Sequence, residues 1–342
     1  MRRLLIPGSC GVFCVVFLLL LAVASAARGQ GVSAGGVAKP GANLPVWPKS
    51  TAENFDSLSL AGSDLHAVPP LLGGKATFPE FTRESLRVQW RAGDPIDLYV
   101  IRPVGVQKPP VVLFLYGFPS EADRFRNDEF CKIVTRGGFA AIGFVSALTG
   151  ARYHDRPMRE WFISELQESL VSTVHDVQMI LNYLSTRDDL EMNQIGMFGQ
   201  GSGGTIAILA AAQDRRIKAL DVLDPWGDWP DWMAQSRLIP EKERPDYLKP
   251  DFLKRVAPFD PLVWLRKLKP RPVRLQNAMY EKDTPRIAKQ RLESALPRPA
   301  QVVHYEDPQA FSDNAIADGK MVNWIKEQVK AGPSKRARRR ET

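Results

Sequence analysis

The 342-residue sequence is short of the residues that build covalent and metal frameworks. It has three cysteines. Two of them, Cys10 and Cys14, fall in an N-terminal apolar run expected to be removed, so only Cys131 remains. That excludes an internal disulfide and a cysteine-based metal site. Cys131 lies among apolar residues of a predicted helix and reads as a small buried side chain. Histidine is also scarce: His66, His154, His175 and His304 are the whole supply. No His/Cys/Asp/Glu group has a recognised ligand spacing, so neither metal nor cofactor is expected. There is no internal repeat, and past the N-terminus no apolar run is long enough to span a bilayer. The formal charge of +8 suggests nucleic acid until it is located. Arg2 and Arg3 supply two charges and residues 334–342 a net four, which leaves +2 for everything between. A nearly neutral body excludes a basic nucleic-acid face.

What is present begins with Arg2, Arg3, an apolar run over Val15 to Val23 and the small-residue site Ala24-Ser25-Ala26. This is the pattern of a secretory signal peptide over 1–26, which predicts a secreted or periplasmic protein that is soluble after cleavage. The other reading is an uncleaved anchor from Cys10 to Ala27, at the short end of spanning length. Residues 27–80 read as a flexible linker and an irregular N-terminal wrap. A domain over 81–331 follows. The basic tail 332–342 reads as a solvated end, or as a weak contact to a polyanion or membrane surface.

Within the domain the hydrophobic period changes. Ser85 to Trp90 and Ile96 to Ile101 alternate and predict a hairpin through 92–94. Val111 to Tyr116 is continuously apolar, as a strand covered on both faces requires. Helices are expected over Glu121 to Gly137, Glu160 to Leu184, Gly203 to Ala212, Arg286 to Ser294 and Asn314 to Lys330. Further strands are expected over Phe139 to Val145, Gln194 to Phe198, Ile217 to Leu223, Pro272 to Met279 and Gln301 to Tyr305. This alternation predicts an α/β fold with a mostly parallel sheet and helices on both faces. The Pro- and Trp-rich stretch 225–269 interrupts it and reads as a cap insertion.

The third predicted parallel strand runs into Gly199-Gln200-Gly201-Ser202-Gly203-Gly204 and then a helix start. A strand, a glycine-rich bend and a helix are the parts of a nucleophile elbow, G-x-S-x-G. Here Gly199 and Gly203 hold the frame, and the middle residue is Gly201, which has no side chain to attack with. Together with the order of elements, this resembles the α/β-hydrolase fold, and within it the dienelactone hydrolase and prolyl-oligopeptidase-like branch, over roughly residues 80–330. The resemblance implies descent from an ester- or peptide-cleaving serine hydrolase. It implies an oxyanion hole at Gly117, in Tyr116-Gly117-Phe118-Pro119, and at Ser202. It places the triad acid at Asp283 and the histidine at Gln309, and a glutamine takes no proton at neutral pH. Asp283 also reads as a helix N-cap.

Two of three triad positions thus lack their chemistry, which favours a non-catalytic or weakly active relative that binds a small ligand. The alternative is a carboxylesterase whose nucleophile is Ser202, one place late, with Asp283 and a histidine from elsewhere, His154 or His304. A minor alternative is nucleotide binding, because Gly199, Gly201 and Gly204 also satisfy G-x-G-x-x-G, with Asp221 or Asp224 as the ribose acid. Tyr116, Trp226 and Trp229 are candidate pocket walls; the bland reading of the tryptophans is packing of the cap onto the domain. His304, within a predicted strand, reads as a packed or hydrogen-bonded core residue.

Overall fold

The computed structural model describes residues 52–91, 94–117, 123–147, 165–298, 300–317 and 322–330. The signal segment 1–26, the linker up to residue 51, residues 92–93 of the hairpin bend, His154 and the basic tail lie outside the described residues.

Among the described residues nine strands form one sheet. In chain order they are β1 (Leu71–Thr77), β2 (Phe81–Arg91), β3 (Asp94–Pro103), β4 (Pro110–Leu115), β5 (Ala140–Phe144), β6 (Glu191–Gln200), β7 (Ile217–Leu223), β8 (Val273–Ala278) and β9 (Ala300–Tyr305). Their order across the sheet is β1-β2-β3-β5-β4-β6-β7-β8-β9. The first three are antiparallel, and β3 meets β5 antiparallel. From β5 to β9 every pairing is parallel.

Helices fill the crossovers: α1 (Asp128–Thr135), α2 (Leu166–Leu184), α3 (Ser202–Gln213), the cap helices α4 (Trp229–Gln235), α5 (Arg244–Tyr247), α6 (Pro250–Val256) and α7 (Pro261–Leu265), then α8 (Arg286–Ser294), α9 (Pro308–Phe311) and α10 (Asn323–Lys330). The continuous apolar run of β4 follows from cover on both faces. Val111, Leu113 and Leu115 join the core built with α2, α3 and the cap. Val112 and Phe114, with Tyr116 just beyond the strand, join an aromatic core with Phe125, Phe130, Phe198 and Ile325, beneath α1 and α10. Every residue of β4 is buried. Among the described residues no helix is long and apolar enough to cross a membrane.

The structure departs from expectation in four places. Residues 71–77, expected to be irregular, form β1, an edge strand paired with β2 from Leu71↔Arg87 to Thr77↔Thr82. The sequence hides it because six of its seven residues are exposed, so no alternation arises. The helix expected over 121–137 is a 3₁₀ turn (Asp123–Arg126) followed by α1. Asn127 starts α1 by accepting a hydrogen bond from the Phe130 N–H at 2.9 Å. The last predicted helix, Asn314 to Lys330, is divided: its start falls in a π-helical turn (Ser312–Ala317) that follows α9, and its end is α10. His304 is not a core residue: it lies on edge strand β9, half exposed, with Nε2 2.7 Å from Glu293 Oε1.

Candidate functional site at the strand-to-helix elbow

Strand β6 ends at Gln200 and α3 begins at Ser202, so the whole reversal falls on Gly201. Its backbone sits at φ 56°, ψ −124°, a region that L side chains rarely adopt. The turn is held from both sides: the Gly201 N–H donates to Leu223 O at 2.9 Å, and the Thr205 N–H to Gly201 O at 3.1 Å. The glycines around it answer a different need. A Cβ on Gly203 would lie 2.0 Å from Leu115 O. The start of α3 therefore presses on the end of β4 at a distance only glycine allows. At Gly201 itself a Cβ would meet nothing nearer than Trp226 Nε1 at 3.5 Å and Gly117 Cα at 3.8 Å. Packing leaves room for a side chain there, and the chain has none.

A cavity of about 120 Å³ opens over this apex, room for several waters or a small organic group. Its walls include Tyr116 and Gly117 after β4, Arg124, Gln200 and Gly201 at the elbow, and Asp224 and Trp226 after β7. Leu223, Glu281, Asp283 and Pro308 complete it. Tyr116 and Trp226, two of the candidate pocket residues, line this cavity. Trp229 does not line the cavity. It is 1 % exposed and packs edge-on against Trp232 at 5.8 Å, because Asp260 grips the start of α4, accepting from the N–H groups of Asp228 and Trp229.

The carboxylates of the cavity wall are already engaged. Asp283 accepts from Arg237 Nε, and its backbone carbonyl from Ser236 Oγ at 2.6 Å. Nor is it a helix cap, since α8 starts at Arg286 after Pro285. Behind it Lys289, 2 % exposed, reaches Asp224 Oδ1 at 2.8 Å and Glu281 Oε2 at 3.2 Å, and donates to Ala278 O at 2.6 Å. Burial pushes Asp224 up to about 7 despite that lysine. Nothing in the sequence marks this buried ion triad, since Lys289 lies in a helix of largely polar composition.

The remaining candidates are placed as follows. Ser202 is the first residue of α3 and fully buried. Gln309 is exposed on α9 and donates to Asp313 Oδ1 at 2.7 Å. His175 is buried on α2, with Nδ1 2.6 Å from Glu53 Oε1 and Nε2 2.9 Å from Ser57 O, and His66 is exposed. Among the described residues no histidine lines the cavity. The two acids considered for a ribose are also occupied, Asp221 by Arg274 and Gln276 and Asp224 by Lys289. Gly199, Gly201 and Gly204 therefore lack the acidic partner that dinucleotide binding needs. Among the described residues no group of acids, histidines or cysteines could hold a metal ion.

Arg124 is the wall residue that sequence reasoning missed. It is half-buried, with its guanidinium 4.4 Å from the centre of the Tyr116 ring. A single arginine in a predicted helix gives no signal, and only the fold brings it to the elbow.

No protein-family model matches the chain, and no curated protein matches it in sequence. Solved structures do match in fold. An acetyl xylan esterase from Paenibacillus sp. R4 aligns with a TM-score of 0.59 at 16 % identity, over 82 % of this chain and 97 % of that one. Acetyl xylan esterase 1 from Thermoanaerobacterium sp. JW/SL YS485 aligns at 0.57 and 12 %, over 76 % and 90 %. The Pyrococcus horikoshii acylaminoacyl peptidase aligns at 0.52 and 13 %, over 77 % of this chain and half of its own. The chain has an α/β-hydrolase-like fold.

Proposed function

We propose that this is a non-hydrolytic or weakly active member of the α/β-hydrolase fold that binds a small molecule in the cavity over Gly201. The observation that carries the reading is the elbow itself: the φ 56°, ψ −124° residue is a glycine, although no neighbouring atom fills the space of a Cβ. The surroundings support it. Asp283 is paired with Arg237, Gln309 faces Asp313, and no described histidine lines the cavity. Triad members act as a unit, so loss of nucleophile or base removes most of the rate. Structural likeness to acetyl xylan esterases and an acylaminoacyl peptidase supports descent from an ester- or peptide-cleaving enzyme, and the element order the dienelactone hydrolase and prolyl-oligopeptidase-like branch. The N-terminal pattern over 1–26 supports a site of action outside the cytoplasm.

The test is fluorophosphonate labelling and nitrophenyl acetate turnover by the folded protein, beside Ser202→Ala. Neither protein is expected to label or to turn over. Labelling and turnover that disappear in Ser202→Ala would overturn the reading in favour of an esterase using Ser202.

A further inference from the structure

The sheet ends at two edges of unlike character. At one edge β1 interrupts its own ladder: its register with β2 breaks between Leu72 and Gly74, and Gly73, Gly74 and Lys75 follow one another. A bulge, glycines and a lysine keep an exposed edge from pairing with another chain. The other edge, β9, has none of these devices. It reads Ala-Gln-Val-Val-His-Tyr, without glycine, proline or lysine. Exposed apolar side chains also gather there: Val302 on the strand, and Met279 and Tyr280, whose backbones are bonded to its end.

The free backbone groups of β9 define a register. The Met279 N–H donates to Tyr305 O at 2.8 Å, so the backbone groups of Tyr305 point towards β8. These groups alternate along a strand, so those of Val303 and Gln301 point the same way. The N–H and C=O groups of Ala300, Val302 and His304 therefore point out of the edge. The side chains of these three share the α8 face: Ala300 and Val302 line a groove with Glu293, and His304 Nε2 lies 2.7 Å from Glu293 Oε1. In two antiparallel copies related by a dyad through Val302, normal to the sheet, every outward group gains a partner. Val302 faces Val302 of the second copy, and Ala300 faces its His304. A dyad moved to Gln301 or Val303 leaves His304 or Ala300 opposite residues beyond the strand. The register through Val302 also sets Arg298, just before the strand, opposite Glu306 of the second copy, just after it. Both side chains are exposed, and neither has an ion-pair partner among the described residues.

We infer that β9 is a self-association edge: two copies of this chain pair antiparallel about Val302 into one continuous sheet, with an Arg298–Glu306 contact at each end of the paired strands. The arrangement is isologous, so it stops at two copies and leaves both β1 edges outside. An interface built on one six-residue strand belongs to the small class, which makes the dimer reversible and concentration-dependent. No residue of β9 lines the cavity over Gly201, so the dimer needs no reading of that site.

Sedimentation velocity of the purified protein over a dilution series, from about 1 to about 100 μM, reads the mass of the species present. A monomer–dimer equilibrium without larger species is expected. Val302→Pro removes an outward N–H that the single chain does not use, a change that edge strands tolerate, and is expected to leave a monomer with unaltered circular dichroism. Arg298→Glu and Glu306→Arg each bring like charges together at both ends of the strand pair. Either alone is expected to raise the dissociation constant about tenfold, and the two combined to restore it. A monomer at every concentration, larger head-to-tail assemblies, or a dimer that Val302→Pro leaves intact would overturn the inference. So would single charge reversals without effect, or a double variant that does not recover the original constant. Should Val302→Pro fail to fold, the charge variants decide alone, since both side chains are exposed in the single chain.

Discussion

Replacing Gly201 and Gly203 by alanine, one at a time, separates two roles that glycine plays at the elbow. At Gly201 the new Cβ would enter ordinary contact, 3.5 Å from Trp226 Nε1, so the whole cost is conformational. An L side chain at φ 56°, ψ −124° costs on the order of 1–3 kcal/mol. For a domain of this size that is a fall in Tm of roughly 2–4 °C per kcal/mol. At Gly203 the Cβ would sit 2.0 Å from Leu115 O and 2.6 Å from Leu115 C, both backbone atoms in the middle of the sheet. Relief requires α3 to lift off β4, which opens the core on that face. The expected loss exceeds about 4 kcal/mol, the range of severe core disruption, or the variant does not fold. Urea unfolding followed by circular dichroism measures both. If Gly203→Ala is tolerated and Gly201→Ala is not, the apex of the elbow is not at Gly201, and the argument that the nucleophile position is empty collapses with it.

Two more tests address the groups behind the cavity and at the N-terminal segment. Lys289→Met leaves buried Asp224 and half-buried Glu281 without their cation and is expected to cost about 3–5 kcal/mol in the same urea assay; a cost below about 1 kcal/mol would show that the triad is not formed. Stability should also respond to pH in two opposite limbs. Asp224, raised by burial from 3.8 to about 7, keeps a proton in the folded state that the unfolded chain has released, so its contribution is full near pH 4 and lost as pH rises to about 7. Glu53 is also raised by burial, but hydrogen bonds from Arg91 and His175 outweigh this and bring it from 4.5 to about 2, so its contribution is present above pH 4.5 and lost as pH falls towards 2. Glu53→Gln should flatten the acid limb alone, and an unchanged acid limb in that variant would refute the assignment.

The parts of the fold that the sequence discloses are those where a residue's burial depends on its own element. Val111 to Tyr116 reads as a strand because both faces are covered and every position is apolar. Ile217–Leu223 and Arg286–Ser294 fall at their predicted bounds for similar local reasons. The elbow register is legible because a strand, two frame glycines and a helix leave a single residue for the turn. What stays hidden depends on distant partners. Leu71–Thr77 becomes a strand only through its pairing with β2. Arg124 and Lys289 look like ordinary helix cations until the fold brings one to the cavity wall and buries the other beneath it. Of two neighbouring tryptophans, Trp226 faces the cavity and Trp229 the core, a choice made by the Asp260 contact from the far end of the cap.

These placements bear on why the glycine elbow keeps its shape. A strained turn persists only where its surroundings over-determine it. Here they do so with glycine at the turn: Leu223 O and Thr205 N clamp Gly201 from either side, Gly203 seats α3 on β4, and Thr205 Oγ1 ties the helix to Trp226 O at 2.7 Å. Glycine also removes most of the strain that a serine would store at this position. Strain relief alone would explain the glycine, but not the rest of the site. An elbow free of any role could let its cavity fill with side chains. This one retains an open volume, with Arg124 in its wall and three acids that are held by Lys289 and Arg237. That combination is the ground on which ligand binding without turnover is proposed.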